Sequence, residues 1–193
     1  LARDLHVIDR EIRNGKWPKI RGMSLHGKTV GVVGYGDIGR NVVSRCHAFN
    51  LKTIIYDPSV TQVDDKSLLE VWPANIVNCD FLIFTCSLNA HNYHMLDTDI
   101  ITKCKNGVRI INVARGKLIN EDHLIQALKN GKVHSVALDV FEQEPLPLKS
   151  YLRKHELCIL GSHNSSNTFE SVIKTNTKAI HTIIKFLSKD NEI

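Results

Sequence analysis

The chain has no apolar run long enough to cross a membrane, and no N-terminal stretch is patterned as a signal peptide. A spanning helix is therefore excluded, and nothing points to export. Its five cysteines, at 46, 79, 86, 104 and 158, are odd in number and form no C-x-x-C. Scattered and partly set in apolar strand-like runs, they read as reduced core thiols of a cytoplasmic protein. Positive charge is present but not clustered: net charge is +5 and the pI about 9.0, with Lys and Arg spread among the acids. A nucleic-acid footprint would need them on one face, so the basic balance reads as a solvated surface that helps draw in anionic ligands. Internal repeats and low-complexity tracts are also missing. Residue 1 is Leu and the first helical pattern is already under way there, so the chain is expected to be part of a longer protein.

What is present is organised around Lys28-Thr-Val-Gly-Val-Val-Gly-Tyr-Gly-Asp-Ile-Gly-Arg40. Thr29 to Val33 is a β-branched run expected as a buried strand. Gly34, Gly36 and Gly39 follow as G-x-G-x-x-G, and Ile38, Val42, Val43, Cys46 and Phe49 then mark one face of a helix. Gly34 allows the tight turn, Gly36 lets backbone N–H groups approach a pyrophosphate, and Gly39 permits close helix packing. The helix N-terminus offers orphan donors and a positive dipole end. A second strand, Lys52 to Tyr56, ends at Asp57, 18 residues after Gly39, where a ribose-binding acid is expected.

Elsewhere, Leu1, Leu5, Ile8 and Ile12 predict an amphipathic helix stopped near Gly15, followed by an extended linker at Trp17-Pro18. Gln62 to Asn75 is expected as a short helix around Leu68, Leu69 and Val71. Strands are expected at Phe81–Thr85, Val108–Val113, Ser135–Val140 and Leu157–Leu160, with a polar connection from Ser87 to Asp99. Asn120 should cap a helix running to Asn130, ended by Gly131. Asn167 to Glu170 resembles a capping box, opening a last helix whose buried stripe would be Val172, Ile173, Ile180, Ile183, Ile184 and Leu187. Six apolar strands alternating with helices predict an α/β fold: a doubly wound parallel sheet of Rossmann type, in three α/β/α layers, with its ligand over the carboxyl ends of the strands.

The residues just after those strands carry the chemistry. They are the glycines, Asp57, Cys86-Ser87-Leu88, Ala114-Arg115-Gly116, Asp139 on the Ser135 strand with Glu144 beyond it, and Gly161-Ser-His163. A His can give and take a proton near neutral pH, a carboxylate beside it favours the imidazolium, and an Arg grips a carboxylate with two parallel hydrogen bonds. With a nicotinamide added, the sum is hydride transfer at an alcohol carbon next to a carboxylate. His163 would exchange the hydroxyl proton, Glu144 would orient and charge His163, and Arg115 would hold the substrate. His91 and His94 form an H-x-x-H in a polar loop with no third ligand nearby, and are expected as solvated residues with no metal.

The sequence resembles the D-isomer-specific 2-hydroxyacid dehydrogenases over nearly its whole length. The motifs are Arg13-x-Gly15-x-Trp17, Gly27 to Gly31, Gly34 to Gly39, Tyr56-Asp57-Pro58, Asn112-Val-Ala-Arg-Gly116 and Ala137 to Pro145. The resemblance implies Arg115, Glu144 and His163 as the catalytic set. It implies cofactor contacts from Gly34, Gly36, Asp37, Ile38, Gly39, Asp57, Cys86, Ser87, Val113, Ala114, Arg115, Asp139 and His163, with Asp139 at the nicotinamide carboxamide. A carboxylate at Asp57 implies NAD rather than NADP. Three positions depart from the pattern: Ser162 and Ser87 stand where Pro is usual, and Asn164-Ser-Ser166 replaces small apolar residues, leaving His163 on a more polar loop.

The resemblance also implies that residues 1–193 form one NAD-binding lobe, with 1–24 an interlobe helix and linker and 25–193 the Rossmann core. The second, substrate-binding lobe would lie outside this chain, so turnover by these residues alone is expected to be poor. A homodimer through Arg13 to Met23 and a phosphoglycerate or glycerate substrate are the further expectations. The alternative is an NAD(H)-sensing module like the C-terminal-binding corepressors. A relative of S-adenosylhomocysteine hydrolase is disfavoured by the Arg115, Glu144 and His163 set.

Overall fold

Thr29–Val33 forms β1, and four of its five residues are buried. A strand apolar on both faces belongs in a sheet covered on both sides. β1 lies between two parallel neighbours, β2 (Lys52–Tyr56) and β4 (Phe81–Phe84). With β3 (Ser67–Leu69), β5 (Val108–Asn112), β6 (Val133–Leu138) and β7 (Cys158–Leu160), the sheet has seven parallel strands in the order β3-β2-β1-β4-β5-β6-β7. The chain winds outward from β1 in one direction and then from β4 in the other. The gap between their carboxyl ends is the switch point where α/β sheets bind ligands.

The computed structural model describes residues 1–189. Its helices are α1 (Leu5–Arg13), α2 (Asp37–Ala48), α3 (Thr98–Lys103), α4 (Glu121–Lys129) and α5 (Phe169–Lys189). Two cores form. Val30, Val32, Val43 and Ile55 belong to one, and Leu82, Phe84, Ile110, Leu124 and Val136 to the other, as alternation along each strand requires. The chain divides into two compact units, Leu1–Ser162 and a second that opens at His163 and contains α5.

Several expectations are corrected. Gln62 to Asn75 contains no helix. Ser67–Leu69 pairs in parallel with Thr53–Ile55 as an edge strand, too short to display alternation, so its leucines imitated helical spacing. The polar connection from Ser87 ends sooner than expected, because Asp97 caps α3, its side chain accepting from the Ile100 N–H. In α1 the buried residue is Val7, whereas Leu5 and Ile12 are exposed. The cap of α5 is Thr168, whose hydroxyl accepts from the Ser171 N–H at 3.2 Å, rather than Asn167. The stripe on α5 is exposed, 42 to 58% from Val172 through Leu187. Periodicity identifies a face in want of cover without saying what covers it. The Asn120 cap on α4 is present as expected, accepting from the His123 N–H at 3.1 Å.

Candidate functional site

At the carboxyl end of β1 the chain turns at Gly34, with φ +96°. The Gly34 N–H donates to the Tyr56 carbonyl at 2.9 Å, and a Cβ on Gly34 would stand 2.6 Å from the Cys86 nitrogen. The segment leaving β4 therefore crosses directly over the loop. Thr85 ties the two together, its hydroxyl donating to the Gly34 carbonyl at 2.8 Å. Gly39, in the first turn of α2, has no room for a Cβ either, since one would overlap the Gly34 carbonyl oxygen. Gly36 is the opposite case: a Cβ there would meet nothing within 4 Å, so the backbone faces open space at the uncapped start of α2.

Asp57, half-buried at the end of β2, closes this edge. One carboxylate oxygen accepts from the Tyr35 N–H at 2.7 Å and the other from the Ser59 N–H at 2.9 Å. The acid is thereby fixed to the glycine loop itself. Asp37 is fully exposed at the head of α2, 3.6 Å from Arg40, and Ile38 is also exposed. Cys86 is half-buried, and burial pushes its thiol up to about 11. An open backbone face, free helix N–H groups and a fixed carboxylate are the features a dinucleotide requires, so the residues present fit NAD.

The second edge lies over β5 and β6. Asn112, 1% exposed at the end of β5, accepts from the Ala114 N–H at 3.0 Å and donates to the Arg115 carbonyl at 2.9 Å. Its own carbonyl accepts from the Asp139 N–H at 3.0 Å. One buried amide thus holds the loop carrying Val113, Ala114 and Arg115, while its backbone reaches β6. Arg115 is exposed, one guanidinium N–H resting on the Ala114 carbonyl at 2.6 Å. Gly116 follows, and a Cβ on it would overlap the Phe141 carbonyl, so the Arg115 loop is pressed against the turn after β6. In that turn Glu144 accepts from the Phe141 N–H at 3.0 Å. Asp139 lies against Gly161, whose missing side chain makes room for its carboxylate.

Arg115, Glu144, Asp139, Asp57, Cys86 and Ser87 all belong to the first compact unit, on or after strand ends as expected. His163 opens the second, at φ +58°. His94 corrects its expectation. It is half-buried, its Nε2 lies 3.1 Å from Glu142 and its N–H donates to the Lys117 carbonyl at 2.8 Å. Among the described residues no group of three or more His, Cys, Asp or Glu could hold a metal ion. Asn112, Thr85, His94, Glu121 and Glu142 support the site without having been singled out for it. The legible signal was Asn112, a polar residue closing an otherwise apolar strand.

Comparison with known proteins matches residues 1–165 to the D-isomer specific 2-hydroxyacid dehydrogenase, NAD binding domain. Rattus norvegicus D-3-phosphoglycerate dehydrogenase is 37% identical over 180 residues, covering 89% of this chain and 33% of the rat protein. Thermotoga maritima hydroxypyruvate reductase is 33% identical over 191 residues, covering 96% of this chain and 62% of that one. A glyoxylate reductase crystal structure from Paecilomyes thermophila superposes with a TM-score of 0.84 at 32% identity, covering 91% of this chain and 55% of that chain. The chain therefore spans a third to about three-fifths of these relatives. Gly34–Gly39, Asp57 and the Arg115 and Glu144 loops thus sit in a chain that belongs to the D-isomer-specific 2-hydroxyacid dehydrogenase family, as its NAD-binding domain.

Proposed function

We propose that these residues form the cofactor lobe of an enzyme that interconverts D-2-hydroxyacids and 2-keto acids. The observation that carries the reading is the 2.7 Å hydrogen bond from the Tyr35 N–H to Asp57, which makes the phosphate loop and the ribose acid one unit. Gly34, Gly36, Asp37, Ile38 and Gly39 would hold the pyrophosphate, with Asp57 on the adenosine ribose and Asp139 toward the nicotinamide carboxamide. Cys86, Ser87, Val113 and Ala114 would line the bound cofactor. When bound, NAD supplies the carbon that accepts or returns a hydride. A second negative charge beside Asp57 would be repelled, favouring NAD over NADP.

Arg115 would clamp the substrate carboxylate and polarise the adjoining carbonyl with its exposed guanidinium fork. His163 would take the hydroxyl proton during oxidation and return it during reduction, and Glu144 would favour the charged imidazole. The similarity to a phosphoglycerate dehydrogenase, a hydroxypyruvate reductase and a glyoxylate reductase supports this reading over an NAD-sensing corepressor module. Phosphoglycerate, glycerate or glyoxylate-type substrates fit it. Free cysteines at all five positions accord with a cytoplasmic protein. Exposed Trp17, Ile20 and Phe49, with a cavity of about 740 Å³ lined by Ile20, Met23 and Phe49, support a homodimer through the 13–23 segment.

The test is NADH oxidation with glyoxylate, hydroxypyruvate and phosphohydroxypyruvate. Because the relatives are longer, slow turnover is expected from this chain alone. Arg115→Gln and His163→Asn should abolish it while weakening NADH binding far less. Turnover unaffected by either substitution would remove those residues from the catalytic set.

A further inference from the structure

Three segments meet beside Arg115 and Glu144, and one residue touches all of them. His94, in the loop before α3, adopts φ +52° with its ring stacked on Tyr93 at 4.0 Å between centroids. Its backbone N–H donates to the Lys117 carbonyl at 2.8 Å, two residues beyond Arg115. Its ring Nε2 lies 3.1 Å from the Glu142 carboxylate, two residues before Glu144. Its Nδ1 lies 3.3 Å from the Asn120 side-chain nitrogen, at the cap of α4.

Glu142 is itself in a reciprocal pair. Its carboxylate accepts from the Glu121 N–H at 2.7 Å, and its own N–H donates to the Glu121 carboxylate at 3.3 Å. Burial, then the Glu142 charge and that of Asp122, raises the Glu121 carboxyl above its usual range. Two carboxylates thus face one another across the turn, and the imidazole of His94 stands at ion-pair distance from one of them. The parallel bridge between Leu96 and Ile119 pins the same loop to the segment after Arg115.

We infer that His94 is a positioning residue for the site, a clamp that joins the Glu144 turn to the Arg115 loop, its ring against Glu142 and its backbone N–H on the Lys117 carbonyl. The inference rests on the proposed roles of Arg115 and Glu144 for its functional meaning, and on the geometry alone for the clamp. Left-handed backbone is tolerated best by Asn, Asp, His and Gly, so a φ of +52° is by itself compatible with a mere turn residue. Reach is what separates the readings. Asn accepts the backbone conformation but is too short to touch Glu142, whereas Gln keeps a donor near the position of Nε2.

The experiment is amide hydrogen exchange on the 193-residue chain, with NADH fluorescence titration on the same samples. His94→Asn should speed exchange at the Glu121, Phe141 and Glu142 amides on the order of tenfold, leaving β1 and β4 amides unchanged, and His94→Gln should restore most of that protection. NADH affinity should stay near that of the parent chain in both variants, because the clamp lies away from the glycine loop. Parent-like protection in His94→Asn, or a His94→Gln as fast as His94→Asn, would overturn the clamp. If the parent chain failed to bind NADH, the proposed cofactor reading would fall while the exchange result still decided the clamp.

Discussion

The two edges that flank the switch point are built in different proportions of bare backbone and polar side chain. The glycine edge is made by leaving side chains out: Gly34 admits Cys86, Gly39 admits the Gly34 carbonyl, and Gly36 leaves a face bare. The Arg115 edge needs Gly116 and Gly161 for close approach, but is made chiefly by putting polar side chains in: buried Asn112, the Glu121–Glu142 pair and His94. An edge of backbone suits a ligand that every member of a fold class shares. An edge of side chains can be retuned one residue at a time, which suits chemistry that must vary with substrate.

The comparison breaks most readily at its points of closest approach. Gly39→Ala and Gly116→Ala each drive a methyl group into a backbone carbonyl that cannot turn aside. Each should cost about 3 kcal/mol in urea unfolding, and Gly39→Ala should also abolish NADH binding. Survival of either with unchanged stability would mean that the close approach is not required.

Asn112→Ala comes next. It strands the buried Ala114 N–H and Arg115 carbonyl, at a cost of about 2 kcal/mol. The expected signature is turnover lost more than NADH affinity, since the damage falls on the Arg115 loop, away from the glycine loop.

Legibility followed the same division. Glycines leave a sequence pattern because their job is fixed by spacing, so the first edge, the central strands and the parallel architecture could be read directly. Asp57 could be singled out as an acid at the end of the second strand, but its bond to the Tyr35 N–H could not, because hydrogen bonding across a strand end leaves no periodic trace. On the second edge Arg115 and Glu144 stood out as chemistry. Their supports did not, since nothing in the sequence singles out Glu121 and His94 reads as a loop residue until the fold brings them together. β3 failed for a different reason: three residues of edge strand are decided by the neighbour they pair with, and local propensity carries little weight there.

A smaller effect sharpens the contrast at the opposite, amino-terminal end of the sheet. Asp80 is almost fully buried, accepts from the Thr29 N–H at 2.9 Å and pairs with Lys105 at 2.7 Å. Burial alone would raise its carboxyl, but those two hydrogen bonds together with the charges of Lys105 and Lys28 outweigh burial and hold it below the usual carboxylate range. A carboxyl with a lowered folded-state pKa stabilises fully above its unfolded value and loses that contribution as pH falls through the folded one. Lys105→Met should therefore cost about 1 kcal/mol at pH 7, and the gap to the parent should close on acidification below pH ~4. A gap independent of pH would place the effect in the lysine's packing. The smallest effect is chemical. With its thiol pushed up to about 11, Cys86 should alkylate slowly at pH 7.5, and more slowly still with NADH bound.

The most direct test of the central claim, that a dinucleotide lies on the glycine loop with its ribose at Asp57, is parallel fluorescence titration with NADH and NADPH of the parent chain and Asp57→Ala. The account predicts tight NADH binding, NADPH weaker by about tenfold or more, and a gap that narrows in Asp57→Ala as NADH affinity falls. Equal affinity for the two nucleotides, or NADH binding indifferent to Asp57→Ala, would contradict it.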